Sequence, residues 1–253
     1  MRAARVLLSP TLAGCIHLAA CGSFGSADAP AGADAGDAAA ADGDLSTVRD
    51  GGGTDGPQPA CTALAITDDF PQGFPGWDLN EASGLVVSET MARSVPTALL
   101  LELAPGTTTR SFLGRKLPRC RIAVSIWMRV QGGFGDGEVD FVGVTDSLDK
   151  NFDGVLVISA KAQADALSVE DPAGGQRRTN APVDTWFEVK LDVDPIQHRY
   201  EASVAGEPFG GPLPSTFGAG DGLYLLVGAP WVDSGRTKPW KVSFDDLTVK
   251  VVP

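Results

Sequence analysis

Apolar and polar side chains alternate along most of the chain after residue 61. In segment 121–130, every second residue from Ile122 to Val130 is apolar, whereas Arg, Ala, Ser and Trp occupy the positions between them. Period-two alternation puts the apolar set on one face of a strand, so this segment is predicted to be a half-buried strand. The same pattern predicts strands at 138–145, 155–161, 186–193, 198–204, 223–227 and 242–251.

Turn-forming residues separate these strands. Gly, Pro and Asp are concentrated in segments 132–137, 171–175 and 218–222, which we interpret as hairpin connections. We find no amphipathic helical pattern after residue 20. The roughly 190 residues of segment 61–253 are enough for one buried core. The sequence therefore predicts an all-β fold, a two-sheet antiparallel sandwich or jelly roll, over 61–253.

The first 20 residues have the pattern of an export signal instead. Two arginines precede an apolar stretch from Val6 to Ala20, which is shorter than the ~20 residues needed to cross a bilayer. Its last residues, Leu18-Ala19-Ala20-Cys21, resemble the lipobox of bacterial lipoproteins. The resemblance implies a signal peptide at 1–20, with cleavage before Cys21 and lipid attachment to its thiol.

Two alternatives to lipidation at Cys21 stay open. A second lipobox match ends at Cys15 but leaves a shorter apolar stretch, so Cys21 is favoured. The other alternative is a soluble secreted protein. In the lipoprotein family, an Asp directly after the lipidated Cys favours the inner membrane, and this chain has Gly22 there. The resemblance therefore implies the outer membrane rather than the inner one.

Residues 21–60 have a composition that cannot form a core. Between residues 22 and 60, only Phe24, Leu45 and Val48 are larger apolar residues. A segment that buries so little apolar surface cannot offset the conformational entropy lost on ordering. We therefore expect a disordered tether between the lipidated cysteine and the domain at 61–253.

The charge of the chain argues against a nucleic-acid partner. The formal net charge is −12, and the tether holds seven aspartates against the single base Arg49. An acidic surface repels phosphate backbones and anionic headgroups. We expect the lipid to provide the membrane contact, and the sequence leaves the oligomeric state open.

Three segments of the domain resemble the concanavalin A-like lectin and glucanase superfamily, in particular its LamG-type domains. They are the opening Ile66–Phe70, the closing segment 242–249 and the central segment 186–193. The resemblance implies a jelly roll in which the opening strand lies beside the closing strand. It also implies a ligand on the concave sheet.

The cysteines predict one disulfide. If Cys15 leaves with the signal and Cys21 is acylated, Cys61 and Cys120 remain as an even pair. A bridge between them would join the first segment of the domain to a central strand.

Segment 137–143 resembles the catalytic strand of laminarinase-like glycoside hydrolases. Glu138 and Asp140 match the first two carboxylates of their Glu-x-Asp-x-Glu pattern, but the third position is Val142, or Val144 in the bulged register. A retaining glycosidase needs two carboxyl groups ~5–5.5 Å apart. We therefore expect no enzyme activity. A glycosidase that recruits Glu188 or Asp192 as the missing carboxylate is the alternative.

Other catalytic classes lack their residues. After removal of the signal, His198 is the only histidine, which leaves no usual Cys/His set for zinc. No Gly-x-Ser-x-Gly elbow is present to seat a serine nucleophile. We interpret His198 as an ordinary strand or turn residue.

The polar sheet face provides the leading binding hypothesis. Trp127 and Arg129 lie opposite the buried row, and neighbouring strands in register would add further polar and aromatic side chains, which are Glu138, Asp140, Trp186, Glu188, Lys190 and Asp192. Aromatic rings beside fixed charges suit a sugar or a protein ligand. The alternative is a structural surface protein whose solvated face holds only cross-strand ion pairs.

Four aspartates near the domain ends form a second cluster. Asp68 and Asp69 would approach Asp245 and Asp246 if the first and last strands are neighbours. Carboxylates suit Ca²⁺, which some members of the superfamily bind. The favoured alternative is a β-bulge at 245–246, which keeps the later apolar residues on the inner face. We expect no other cofactor.

Overall fold

Alternating apolar residues form the predicted central strand. Ile122, Val124, Ile126, Met128 and Val130 are all buried, and the residues between them are half-buried.

The computed structural model describes residues 61–81, 83–146, 156–160, 167–170, 175–219 and 222–253, and within these ranges it contains fifteen strands and no helix. The strands are β1 (Leu64–Asp68), β2 (Leu79–Glu81), β3 (Leu85–Ser88), β4 (Ala98–Leu103), β5 (Ser111–Leu117), β6 (Arg121–Val130), β7 (Val139–Thr145), β8 (Leu156–Ala160), β9 (Leu167–Glu170), β10 (Gln176–Arg178), β11 (Phe187–Asp194), β12 (Arg199–Val204), β13 (Glu207–Pro212), β14 (Leu223–Ala229) and β15 (Trp240–Val252).

The strands form two antiparallel sheets. The first sheet has the order β13-β12-β11-β6-β15-β4-β3, with β1 also paired to β15. The second has the order β10-β9-β8-β7-β14-β5-β2. This arrangement confirms the predicted all-β antiparallel sandwich. The signal peptide, Cys21 and the tether at 21–60 lie outside the described residues, so they stay predictions.

The first and last strands are neighbours, as the family resemblance implied. β1 pairs with the second half of β15, with Ile66 opposite Val249. The predicted disulfide between Cys61 and Cys120 is also confirmed, with the two Cα atoms 5.9 Å apart. The bridge fixes the start of the domain to the residue that precedes β6.

A β-bulge interrupts β15 where the sequence predicted one. The register between β6 and β15 shifts between Asp245 and Thr248, and Asp246 has a positive φ of 48°. Phe244 precedes this shift and Leu247 lies within it, and both are buried. The one extra residue in β15 therefore keeps the inner apolar row intact.

The interpretation of 132–137 as a hairpin is wrong. This segment leads from β6 in the first sheet to β7 in the second, and 218–222 likewise leads from β13 to β14. Glycine is required for close packing here, because a Cβ on Gly137 would lie 2.1 Å from Cγ of Arg236. Turn composition signals a chain reversal, but it does not tell which sheet receives the next strand. The connection at 171–175 does join paired strands, β9 and β10.

The core lies between the sheets. Its largest fully buried side chains come from both sheets and from the segment after β1, and they include Phe70, Ile126, Phe141, Trp240 and Phe244. Phe141 meets the Trp240 ring edge to face, with ring centroids 5.3 Å apart. Within the described ranges, no helix has the length and apolar character needed to cross a bilayer.

Candidate ligand-binding groove

The odd-numbered residues of β6 face away from the core and form the centre of the first sheet's outer surface. On one side, β11 places Asp192 opposite Ala123 and Lys190 opposite Ser125. On the other side, β15 places Lys250 opposite Ala123. Alternation along three adjacent strands therefore combines small residues in the middle with long charged residues on both flanks.

A groove of about 700 Å³ lies over these small residues. Ala123 and Ser125 form its floor, and larger side chains of β11, β12, β13 and β15 form its walls. The cavity exists because the short floor residues leave unfilled the space that the flanking side chains enclose. The charged and aromatic residues of the walls are Glu188, Lys190, Asp192, Glu201, Phe209 and Lys250.

Ion pairs fix the charged groups of the groove. Asp192 accepts two hydrogen bonds from Arg121, from Nε at 2.9 Å and from Nη2 at 2.8 Å. Lys190 Nζ lies 2.9 Å from Glu188 Oε2, and Ser125 Oγ donates to Glu188 Oε1 at 2.8 Å. Burial alone would raise the pKa of Glu188, but the hydrogen bonds from Lys190 and Ser125 outweigh it and lower that pKa below its usual value. Glu188 is therefore ionised at neutral pH.

One face of the Trp127 indole is covered by another side chain of the protein. The guanidinium carbon of Arg93 lies 3.7 Å from the centroid of the Trp127 ring, a cation–π contact. Trp127 faces Glu188 and Asp245 on the flanking strands but does not line the groove. The predicted stacking face is thus occupied by a side chain of the protein.

Two aspartates of the β15 bulge hold Arg93 and Ser94 in place, and we name these two residues the strap. Asp245 Oδ2 accepts the backbone N–H groups of Arg93 at 2.6 Å and of Ser94 at 2.9 Å. Asp246 accepts hydrogen bonds from Arg93 Nη1 and Ser94 Oγ. Burial raises the pKa of Asp245, although the N–H groups of Ser94, Asp246 and Arg93 partly offset this.

The acidic cluster considered for calcium contains three of the four predicted residues. Oxygens of Asp69, Asp245 and Asp246 lie within 4.8 Å of one another. Asp68 is engaged elsewhere, because it accepts the Phe70 N–H at 2.7 Å and Trp77 Nε1 at 2.9 Å. Asp245 and Asp246 accept hydrogen bonds from the strap, which supports a role as its anchor, and Ca²⁺ binding by the cluster stays a prediction.

Arg129 and Trp186 lie beyond the Trp127 end of the groove. Arg129 is half-buried and faces Ser243, and within the described residues its Nε is buried without a hydrogen-bond partner. Trp186 is half-buried and directly precedes β11. Both are near the outer face of the first sheet, as expected, but neither lines the groove.

The expectation that Glu138 and Asp140 share a surface with Trp127 is wrong. The chain crosses to the second sheet before β7, so Glu138 precedes that strand and Asp140 lies on it, opposite Ser159. The positions at which a third carboxylate would be needed, Val142 and Val144, are fully buried in the core. Period-two spacing was insufficient here because it does not identify the sheet to which a strand belongs.

Sequence reasoning missed several groove residues. Glu201 alternates outward along a predicted strand and faces Asp192, so pairing of the two strands would have located it. Phe209 belongs to β13, which pairs with β12. That strand escaped prediction because its sequence, Glu-Pro-Phe-Gly-Gly-Pro, resembles a loop.

No protein-family model and no curated protein matches the sequence. Solved structures with the same architecture include the cellulose induced protein Cip1, at 17% identity over 73% of this chain and 96% of that one, with a TM-score of 0.53. A sialidase matches at 12% identity over 73% of this chain and 18% of its own length, with a TM-score of 0.51. The alginate lyase vAL-1 from Chlorella virus matches at 9% identity over 71% of this chain and 95% of that one, with a TM-score of 0.50. These likenesses show that the domain has a concanavalin A-like jelly-roll fold.

Proposed function

We propose that this protein is an exported lipoprotein whose jelly-roll domain binds a glycan in the groove without cleaving it. The observation that carries the proposal is the groove of about 700 Å³ over Ala123 and Ser125. Its volume lies within the range of ~300–1,000 Å³ that is usual for ligand sites.

The lining of the groove suits a sugar. The ion pairs of Asp192 and Glu188 present fixed donors and acceptors for hydroxyl groups, whereas Phe209 offers a ring for the C–H face of a pyranose. The sialidase and the alginate lyase are named for activities on carbohydrates, which supports a glycan-related role for the shared architecture.

Three features argue for binding without catalysis. Asp140 lies on β7 of the second sheet and Glu138 directly precedes that strand, whereas the groove floor belongs to β6 of the first sheet. Glu188 and Asp192 are four residues apart on one strand, about 13 Å at ~3.3 Å per residue, which exceeds the ~5–9.5 Å between paired glycosidase carboxylates. Asp192 does face Glu201, but Arg121 binds both of its oxygens, so it is not available as a proton donor.

The proposed localisation is the cell envelope, where a lipid on Cys21 attaches the protein to the outer membrane in preference to the inner one. Segment 21–60 then acts as a tether. The disulfide between Cys61 and Cys120 is compatible with folding in an oxidising compartment. Two or three acyl chains would hold the protein firmly, since each buried CH₂ contributes ~0.8 kcal/mol.

A glycan array probed with the full chain tests the binding function. We expect saturable binding to a defined set of glycans and at least tenfold weaker binding by Ala123→Trp, which fills the groove floor. The matched control is Val86→Trp, because Val86 is 57% exposed on β3, at the edge of the same sheet. It adds the same indole outside the groove and is expected to bind as the wild type does.

The array is paired with a hydrolysis assay on every bound glycan. Release of new reducing ends would replace the binding proposal with the glycosidase alternative. Binding that Ala123→Trp leaves intact would place the site elsewhere, and an array without any signal would favour a structural surface protein.

Metabolic labelling with a palmitate analogue tests the anchor separately. The wild type and Cys15→Ser are expected to take up the label, and Cys21→Ser is expected to lose it. Labelling that depends on Cys15 instead would move the anchor, and an unlabelled wild type would leave a soluble secreted protein.

A further inference from the structure

A second and smaller cavity lies at one end of the sandwich, away from the groove floor. Its volume is about 260 Å³, just below the range usual for drug-sized ligands. It lies between the β11–β12 turn, the loop after β13 and the segment before β6, and its main lining residues are Arg119, Pro195, Ile196, His198, Ser215 and Phe217. A cavity of this size fits a small molecule or one terminal group of a larger molecule.

The polar groups of this cavity match an anion. Arg119, His198 and Ser215 supply a guanidinium, an imidazole and a hydroxyl group, and no carboxylate is among the lining residues. Within the described part of the chain, no carboxylate pairs with Arg119. A guanidinium can bind a carboxylate through two parallel hydrogen bonds.

The apolar walls point to an organic ligand. Pro195, Ile196 and Phe217 line the same cavity, and Ile196 is 56% exposed although it is a large hydrophobic residue. A short hydrocarbon chain or ring attached to the anionic group would cover these side chains. An inorganic anion would leave them in water and gain nothing from them.

The walls are held in place before any ligand arrives. Asp194 Oδ1 accepts the N–H groups of Ile196 at 3.0 Å and Gln197 at 2.9 Å, which fixes the β11–β12 turn. Asp146 accepts the Gly218 N–H at 2.7 Å on the opposite wall. Gly218 is needed there, because its φ is +83° and a Cβ would lie 2.9 Å from Cβ of Pro195. A prearranged site of this kind loses little entropy on binding.

His198 is a turn residue, as predicted, but its backbone conformation and its hydrogen bonding are unusual. Its φ of 46° is in the left-handed region, and its Nδ1 is buried without a hydrogen-bond partner in the described residues. Its backbone carbonyl accepts the Leu213 N–H at 2.7 Å, which holds the turn against the loop after β13. Strained backbone and unpaired buried polar atoms are concentrated at functional sites.

We propose that this cavity binds a small organic carboxylate, with Arg119 as the partner of the carboxylate group and with His198 and Ser215 as further hydrogen-bonding groups. The site is separate from the glycan groove, and it does not depend on the function proposed for that groove.

Nuclear magnetic resonance of the full chain with labelled histidine tests this site directly. The chain has two histidines, and His198→Asn identifies the signal of the second, since Asn tolerates the left-handed region. The probe is butyrate, which combines a carboxylate with a short apolar chain. We expect butyrate to shift the His198 signal saturably, 1-butanol to leave it unchanged, and sulfate to bind at least tenfold more weakly than butyrate.

Variants of two neighbouring arginines separate a specific site from general attraction of anions. Arg119→Ala is expected to weaken butyrate binding at least tenfold. Arg199→Ala is the matched control, because Arg199 is exposed next to His198 but does not line the cavity, and it is expected to change the affinity less than twofold. Equal melting temperatures of both variants show that they are folded.

Several results would overturn the proposal. They are an absence of saturable shift in the wild type, equal binding of butyrate by Arg119→Ala, and an equal response to 1-butanol. Sulfate binding as tight as that of butyrate would contradict the assigned role of the apolar walls.

Discussion

The two ends of the outer face of β6 differ, because one end is an open groove and the other is covered by a loop. At the N-terminal end, a disulfide fixes Cys120, and the small residues Ala123 and Ser125 leave an open groove beyond it. At the C-terminal end, hydrogen bonds to Asp245 fasten the strap, and Arg93 covers the large ring of Trp127. The open end is held covalently, whereas the covered end is held by hydrogen bonds and charge.

This contrast shows why residue type alone predicted a ligand site at the Trp127 end of the strand, whereas the groove lies at the Ala123 end. An exposed-face tryptophan predicts a stacking site, but a cation from a distant loop, 34 residues earlier in the chain, occupies its ring. Small residues predict nothing by themselves, but between long charged neighbours they create the cavity. Space on a sheet face is therefore set by contrasts in side-chain size and by the loops that cross it.

The largest expected effect comes from releasing the open end. Replacement of both Cys61 and Cys120 by Ser is expected to lower the free energy of unfolding by about 4 kcal/mol, because the bridge closes a loop with a sequence separation of 59 in the unfolded chain. Urea unfolding of the two proteins measures the loss. Reduction of the wild type should reproduce it, and a loss below about 1 kcal/mol would contradict the entropic argument.

At the covered end, Asp245→Asn is expected to cost about 1–3 kcal/mol of stability. Both oxygens of Asp245 accept backbone N–H groups, from Arg93 and Ser94 on one oxygen and from Asp246 on the other. An amide has only one acceptor oxygen, so the variant leaves at least one buried N–H group opposite a donor. Thermal and urea unfolding measure the difference.

Asp69→Asn is the matched control for this anchor. Asp69 is exposed and lies in the same acidic cluster, so its replacement is expected to change stability by less than about 0.5 kcal/mol. If Ca²⁺ stabilises the wild type and Asp69→Asn abolishes that effect, the cluster is a cation site and the interpretation as an anchor is wrong.

A third and smaller effect is expected from the cation–π contact between Arg93 and Trp127. A double-mutant cycle with Arg93→Ala and Trp127→Ala is expected to give a coupling energy of about 0.5–1 kcal/mol, the range for partly exposed cation–π pairs. The matched pair is Lys116 and Tyr224, whose Nζ-to-centroid distance of 5.8 Å predicts weaker coupling. Equal coupling in the two cycles would mean that Arg93 covers the ring without binding it.

The sequence was sufficient for the parts of the fold that local chemistry determines. Alternation located β6 and β15, and the interrupted apolar row around Asp245 located the bulge. Cysteine parity located the disulfide. Strands such as β13 were missed because Pro208 and two glycines are loop-forming residues, and their pairing to β12 is a tertiary effect.

The site was less predictable for the same physical reason. Trp127, Glu188, Lys190 and Asp192 were correctly assigned to one face, because β6 and β11 pair in register. Asp140 was assigned to that face wrongly, since the sheet assignment of β7 depends on a crossover that no local signal records. The groove itself arises from five strands together, so no single segment could reveal it.

The smallest expected effect is the pH dependence of the two ends, and its sign differs between them. The pKa of Glu188 is lowered, since its hydrogen bonds from Lys190 and Ser125 outweigh its burial, so Glu188 adds stability that is present above its ordinary pKa and is lost as the pH falls through the lowered one. Glu188→Gln is therefore expected to flatten the acid loss of stability by a few tenths of a kcal/mol, the usual value of a partly exposed pair.

The pKa of Asp245 is raised by burial, so its contribution has the opposite sign: it is fully present at low pH and is lost as the pH rises through the raised value. Asp245→Asn should consequently steepen the acid loss while lowering stability at neutral pH. Urea unfolding of both variants from pH 3 to pH 7 measures the two slopes. Slopes that change in the same direction would show that the open and covered ends do not differ in the electrostatics described above, because only opposite pKa shifts produce opposite signs.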